Sequence, residues 1–307
     1  MKPKVLLAGG TGYIGKYLSE VIENDAELFT ISKYPDNKKT DDVEMTWIQC
    51  DIFHYEQVVA AMNQIDIAVF FIDPTKNSAK ITQSSARDLT LIAADNFGRA
   101  AAINQVKKVI YIPGSRYDNE TIERLGAYGT PVETTNLVFK RSLVNVELQV
   151  SKYDDVRSTM KVVLPKGWTL KNVVNHFIAW MGYTKGTFVK TEKSYDQFKI
   201  YIKNKVRPLA VFKIEETADG IITLILLSGS LVKKYTVNQR KLEFRLIKES
   251  AVVYIHLYDY IPRLFWPIYY FIQAPMQKMM IHGFEVDCRI KDFQSRLKSG
   301  ENMKYTK

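Results

Sequence analysis

The chain has few of the residues that build disulfide frameworks and metal centres. Among its 307 residues there are two cysteines, Cys50 and Cys288, far apart and without a CxxC partner. A disulfide scaffold is therefore excluded, and two reduced thiols are expected. The four histidines, His54, His176, His256 and His282, are scattered. With no HExxH and no cysteine cluster, no catalytic metal is expected. There is no GxSxG elbow, no helix-turn-helix signature, no internal repeat and no low-complexity tract. The apolar run after Met1-Lys-Pro-Lys4 ends at Gly9, too short for a signal peptide and with glycines where a cleavage site would fall, so a cytoplasmic location is expected. The aromatic and Met-rich stretch 264–280 is interrupted by Pro267, Pro275, Gln273, Gln277 and Lys278, and so is not a membrane span.

What is present suits a soluble globular chain of two domains: 46% hydrophobic residues over a length generous for one domain. The net charge of +10 is unevenly placed. Residues 1–150 carry 16 Lys and Arg against 19 Asp and Glu, net −3, and residues 151–307 carry 27 against 14, net +13. A basic domain can attract nucleic acid, anionic lipid or an acidic ligand, or can simply be a solvated basic surface. Basic charge mixed with Tyr and Phe over residues 183–207 reads as the solvated faces of strands, and no nucleic-acid partner is expected.

The first 150 residues alternate strand and helix. Lys4–Ala8, Leu28–Ile31, Trp47–Cys50, Ile67–Ile72 and Val109–Ile112 read as strands. Tyr13–Glu23, a stretch around Tyr55–Met62, and Ala86–Asn104 read as helices. This order implies an α/β fold with a parallel Rossmann sheet of five or six strands. After a boundary near residue 150 the pattern changes. Val146–Val150 alternates, Met160–Leu164 is a strand, and Leu170–Met181 is an amphipathic helix. The stretches 186–191, 197–203, 209–215, 221–227, 231–237, 241–247 and 251–258 follow as successive strands, before a final helix from about Trp266. This second domain, 151–307, is expected to be α+β with an antiparallel sheet.

The strongest motif is Ala8-Gly-Gly-Thr-Gly-Tyr-Ile-Gly15. Gly10, Gly12 and Gly15 satisfy GxGxxG between a strand and a helix. One glycine makes the tight turn, the next lets backbone approach a pyrophosphate, and the third lets the helix pack on the strand. The pyrophosphate then meets the free N–H groups and dipole of the helix start. Candidate cofactor contacts are Gly9, Gly10, Thr11, Gly12, Tyr13, Ile14 and Gly15. The ribose reader is expected at the end of the second strand, where the chain has Ser32-Lys33-Tyr34. Lys33 could pair with a 2′-phosphate, and no carboxylate is there to repel one, which favours NADP(H) over NAD. In the alternative, Lys33 is a solvated charge and Asp36 reads the ribose.

At these residues the chain resembles the atypical short-chain dehydrogenases, especially the NmrA-like group. Ala8–Gly15 is similar to their TGxxGxxG, with Ala8 in place of Thr. Cys50-Asp51-Ile52 resembles their xDx after the third strand, which implies that Asp51, beside Ile52, meets the adenine amino group. Ile110–Ser115 resembles the strand end beside the nicotinamide, and Ser115 could stand in for the family's catalytic Ser, although a turn serine is the plainer reading. The family's YxxxK pair is broken: at Tyr128-Gly-Thr-Pro-Val132 the lysine position is Val132. In the second domain, Val162–Trp168 and Tyr260–Tyr270 look like the C-terminal region of some NmrA-like bacterial proteins, similar to the START-like helix-grip fold. That resemblance implies an apolar cavity for a small apolar or acidic ligand; a solid core is the alternative.

Two functions follow as expectations. One is an NADP-dependent oxidoreductase, a reductase of a small apolar or quinone-like substrate. The other is a regulatory protein that senses NADP(H), or binds a ligand, without turnover. The broken Tyr-Lys pair separates them, counting against an ordinary alcohol dehydrogenase. The stretch 264–280 reads as a core helix packing on the sheet, with a peripheral membrane contact beside the basic surface as the sharper alternative.

Overall fold

The computed structural model describes residues 2–10, 12–35, 44–73, 79–136, 155–183, 189–230, 241–263 and 265–301. The chain divides into two compact units. The first comprises Met1–Ser78 and Ser85–Gln149, the second Ala79–Ser84 and Val150–Lys307.

The first part of the chain runs β1 (Lys4–Ala8), α1 (Tyr13–Ile22), β2 (Glu27–Ser32), β3 (Met45–Gln49), α2 (Tyr55–Ala61), β4 (Ile67–Phe70), β5 (Ile81–Gln83), α3 (Ala86–Ile103), β6 (Lys108–Tyr111), α4 (Asp118–Gly126) and β7 (Val132–Thr134). Six of these strands pair in parallel in the order β3-β2-β1-β4-β6-β7. The fold is thus α/β, with a Rossmann-type sheet whose order reverses direction between β1 and β4. β1 and β4 are nearly continuous apolar runs because helices cover both faces of a parallel sheet. On one face Ile14, Leu18 and Ile22 of α1 pack against Val5, Leu7, Leu28, Val69 and Phe71. α3 begins at Ser85, whose Oγ accepts from the Asp88 N–H at 3.1 Å, an N-cap that satisfies one orphan donor. Every residue of α3 from Asp88 to Ala101 is buried. At Gly98 a Cβ would lie 2.5 Å from the Leu125 carbonyl, so a glycine lets α4 close onto α3.

The second unit contains β8 (Val156–Val163), α5 (Leu170–Tyr183), β9 (Val189–Lys193), β10 (Gln197–Ile202), β11 (Pro208–Ala218), β12 (Ile221–Ser228), β13 (Lys241–Leu246) and β14 (Val252–Tyr260). A helical turn α6 (Trp266–Ile268), a π-helical turn Tyr269–Gln273 and the long helix α7 (Ala274–Lys298) complete it. Its sheet has the order β5-β8-β14-β13-β12-β11-β10-β9. It is mixed rather than purely antiparallel, because β5 joins the β8 edge in parallel register, Ile81 beside Val156. One face is apolar: Val162, Ile222, Leu224, Phe244, Val253 and Ile255 pack with Val173, Phe177, Phe284 and Cys288 of α5 and α7. On the other face Thr159, His256, Glu243 and Thr223 stand in register and are buried, with Arg245 Nε bonded to Glu243 at 2.8 Å.

The anticipated strand at 231–237 and the alternating run Val146–Val150 lie outside the described residues. α4, β5 and β7 were not anticipated. The last two are three-residue strands, too short to show a period.

Phe284 locks α7 to this core. Its ring centroid lies 5.1 Å from that of Phe177 and 5.5 Å from that of Trp180. Phe284→Ala should cost about 3–5 kcal/mol through lost burial and the cavity left behind. Urea unfolding of the full chain measures it. A loss below about 1 kcal/mol would show that the site relaxes around the missing ring.

Candidate functional site

β1 ends at Ala8, and the turn that follows lies at the carboxyl edge of the parallel sheet, beside the β1/β4 reversal. Gly9 has φ +129°, a backbone region that L side chains rarely adopt, and a Cβ there would also meet the Phe71 ring at 2.8 Å. The Gly12 N–H donates to the Gly9 carbonyl at 3.1 Å and closes the turn. Gly12 then caps α1 without a side chain, and the first turn of α1 carries no acidic residue. The helix start thus presents its donors and positive dipole end with no carboxylate of its own against them.

The three motif glycines have different neighbours. A Cβ on Gly10 would lie 2.2 Å from Thr30 Oγ1, and one on Gly15 would lie 2.3 Å from Gly10 Cα. Both are demanded by packing within the protein. A Cβ on Gly12 would meet only the Gly9 carbonyl, at an ordinary 3.6 Å. Among the described residues nothing in the fold itself requires a bare backbone at Gly12, and the space over it is the cradle that a pyrophosphate needs. Tyr13 is exposed at the helix start, Ile14 is turned into the core, and Thr11 lies outside the described residues.

The ends of β2 and β3 bring two anticipated residues together. Ser32 pairs with Gln49 in the strand register, and its carbonyl accepts from the Cys50 N–H at 2.9 Å. Lys33 Nζ lies 3.1 Å from Asp51 Oδ2, an ion pair in which the carboxylate is buried and the lysine largely so. Asp51 also accepts from the Phe53 N–H at 3.1 Å, and its own N–H donates to Gln57 Oε1 at 2.8 Å. Ile52 is buried, its carbonyl accepting from Asn96 Nδ2 of α3 at 2.8 Å. Gln57 and Asn96, which brace this loop, carried no motif in the sequence. Asp36 lies outside the described residues. Burial, followed by the Asp51 charge, pushes the neighbouring Cys50 thiol far above its ordinary range, so it stays protonated.

Ser115 and Tyr128 are not brought together. Ser115 follows β6 and lies at the same sheet edge as the glycine turn. Its Oγ accepts from the Tyr117 N–H at 3.0 Å, closing a serine turn. Asp118, at the start of α4, gathers this loop. It accepts from the Tyr111 hydroxyl at 2.5 Å, the Ser115 N–H at 2.9 Å and the Gly114 N–H at 3.1 Å. Partial burial pushes the Asp118 carboxyl up, but these donors outweigh it and hold it below the ordinary carboxylate range.

Tyr128 belongs to the connection between α4 and β7. A helix-to-strand connection in a parallel sheet returns to the amino edge, opposite the cofactor turn. The Tyr128 hydroxyl donates to Asp95 Oδ1 at 2.8 Å, and its ring lies 4.5 Å under the Arg99 guanidinium. Arg99 Nε in turn reaches Asp95 Oδ2 at 2.9 Å. Asp95 is midway along α3, so the phenol is tied to the helix layer. Spacing along the chain suggested a catalytic place for Tyr128; in the structure its hydroxyl is engaged by Asp95.

Residues 5–121 match the NAD dependent epimerase/dehydratase family. Across all 307 residues, and the whole length of the relative, the chain is 99% identical to the auxiliary protein GraX of Staphylococcus aureus (strain NCTC 8325 / PS 47). Among solved structures it is similar to a nucleoside-diphosphate-sugar epimerase from Staphylococcus aureus, with 19% identity over 43% of this chain and 49% of that one, TM-score 0.35. It is also similar to a Rossmann-fold NAD(P)-binding family protein from Shigella flexneri, with 14% identity over 44% of this chain and 66% of that one, TM-score 0.36. The chain thus spans between about half and two thirds of the length of these two structures.

Two predictions follow from this geometry. Gly12→Val should leave the thermal midpoint near that of the parent, whereas Gly10→Val and Gly15→Val should unfold or strongly destabilise the chain, because their Cβ atoms have no room. Differential scanning calorimetry of the three variants distinguishes them, and equal destabilisation would refute the open cradle. Asp118→Asn should lower stability at neutral pH and flatten its acid dependence. A carboxyl with a depressed folded pKa stabilises above its ordinary value of 3.8 and loses that contribution as pH falls through the depressed value. Urea midpoints at neutral and acid pH test this. An unchanged acid slope in the variant would contradict it.

Proposed function

The chain belongs to the family of the auxiliary protein GraX, and we propose that it acts as a non-catalytic NADP(H)-binding regulatory protein whose first unit reads the cofactor. The observation that carries this reading is the bare, unobstructed backbone at Gly12 over the start of α1. Gly9, Gly10 and Gly12 shape the pyrophosphate turn, Ser32 and Lys33 face the ribose side, and Asp51 and Ile52 flank the adenine side. When bound, the cofactor would supply a hydride. The chain's own residues near its sheet edge offer Ser115, a hydroxyl engaged in a turn, while Tyr128 is bonded to Asp95 elsewhere. With position 132 a valine, no lysine follows that tyrosine at the usual spacing, and the reading favours binding over turnover. The name of the relative, an auxiliary protein, agrees with a regulatory role. Hydride transfer to a quinone-like acceptor that needs little acid catalysis is the second reading, favoured by Ser115 lying at the cofactor edge.

The Lys33–Asp51 ion pair refines the expected cofactor preference. A 2′-phosphate reaching Lys33 must share that cation with a buried carboxylate. The preference for NADPH is therefore smaller than a solitary lysine would give, and Asp51 sets it.

In calorimetric titration NADPH should bind more tightly than NADH, and Gly12→Val should abolish both. Lys33→Ala should narrow the gap by about 1–2 kcal/mol for the lost charge-assisted contact. Asp51→Asn should widen it, because the Asp51 carboxylate no longer competes for the lysine. Equal affinity of the parent for the two cofactors, or an unchanged gap in both variants, would refute the assignment. Steady NADPH oxidation with a quinone panel would instead establish the second reading.

A further inference from the structure

Over the stretch from Phe265 to Met280 most of the large apolar side chains face outward, while two glutamines turn inward. Phe265 is 72% exposed, Phe271 74% and Met279 74%. Ile268, Tyr270, Ile272 and Met276 are exposed beside them. The glutamines do the opposite. Gln273 Nε2 donates to the Tyr260 hydroxyl at 2.8 Å, and Gln277 Oε1 accepts from the Tyr269 hydroxyl at 3.2 Å. The inner stripe is well anchored: Tyr269, Ala274, Phe284 and Cys288 are buried. The π-helical turn Tyr269–Gln273 spaces Tyr269 and Ala274 five residues apart and so keeps both on the inner side. From Glu285 onward the outer face carries charge again, with Arg289 paired to Glu285 and Arg296 to Asp292 at i,i+4. A helix that is apolar on both sides needs cover on both sides, and this one is covered on one.

Charge decides what the cover is. Between Tyr260 and Phe284 the chain has Arg263 and Lys278 and no carboxylate. A third cation, Lys80, comes from the sheet edge and sits 4.3 Å over the Trp266 ring. All three are exposed. A second copy docking symmetrically on this face would bring the same cations together, and residues 260–284 hold no carboxylate to offset them, which opposes that contact. An anionic bilayer surface supplies what is missing: negative headgroups at the level of the cations and an apolar layer beneath for Phe271, Ile272, Met276 and Met279. The outward-apolar part of this helix, Trp266–Met280, is about 22 Å long at 1.5 Å per residue, short of the roughly 30 Å hydrocarbon core, and the helix continues beyond it to Lys298 with charged residues. Among the described residues no helix is long and apolar enough to cross a membrane. A segment with these properties lies along an interface rather than through it.

We propose that the outer face of residues 265–280 is a docking surface for an anionic lipid bilayer, with Phe271 and Met279 as the inserted side chains and Lys80, Arg263 and Lys278 as the headgroup contacts. The full chain should float with vesicles of phosphatidylcholine and phosphatidylglycerol, float less as salt is raised, and stay behind with phosphatidylcholine alone. Phe271→Glu and Met279→Glu should each reduce the bound fraction about tenfold. Their thermal midpoints should match the parent, because both side chains already face solvent. Lys278→Glu should weaken binding to phosphatidylglycerol vesicles without altering the fold. Absence of parent binding to anionic vesicles would overturn the proposal, as would variants that bind like the parent. So would a concentration-dependent dimer in analytical ultracentrifugation that the same two variants abolish without any lipid binding.

Discussion

Gly15 packs so closely on Gly10 that a methyl group on it would lie 2.3 Å from the Gly10 Cα, and Gly10 is seated as tightly against Thr30. Thr30 cannot yield, because it is fully buried and its hydroxyl donates to the Leu7 carbonyl at 2.9 Å. This three-residue contact wedges α1 against β1 and β2 and fixes where the helix begins. Everything proposed for the first unit depends on that placement. The donors of the helix start, the open backbone at Gly12 and the ends of β2 and β3 occupy one edge of the sheet only because α1 is held there. The contact has almost no area, so its contribution is one of position rather than of burial.

Much of this was legible in the sequence because it is local. The glycine spacing, the strand before it and the helix after it lie within about twenty consecutive residues, and each obeys a short-range rule. Lys33 and Asp51 were legible one at a time. Their pairing was not, since it rests on the parallel register of β2 with β3, which no local pattern specifies. Tyr128 shows the same limit more sharply. A spacing rule sees Tyr128 and Val132 but not which edge of a sheet the intervening turn faces, and Asp95 and Arg99, which hold the tyrosine, are about thirty residues away in sequence. α4 was unread because its nine residues, Asp118–Gly126, bury only Thr121 and Leu125 and carry just two large apolar side chains, Ile122 and Leu125.

In the second unit, strand alternation gave most of the sheet but not its polarity. Alternating polar residues of a strand normally face solvent, and Thr223, Glu243, His256 and Thr159 occupy such positions. They are buried instead, in a cross-strand row that includes the Glu243–Arg245 ion pair. The aromatic C-terminal stretch misleads in the reverse sense. Its composition suggests core, and half of it is core, but the orientation of Gln273 and Gln277 shows that the remaining apolar side chains face outward.

The edge strand β5 links the two units through the chain itself. Residues Ala79–Ser84 leave the first unit, complete the second sheet beside β8, and return. No single cut separates the units, and a fragment starting at residue 150 would carry a bare edge at β8, where unpaired N–H and C=O groups invite wrong pairing. The chain between β5 and β8, which holds α3, β6, α4 and β7, leaves one strand of the second sheet and returns to its neighbour. Once that sheet is formed, the entropy of closing this loop is already lost, and the first unit completes its own sheet from a more restricted chain. Stability in either unit is thereby felt in the other, through connectivity alone.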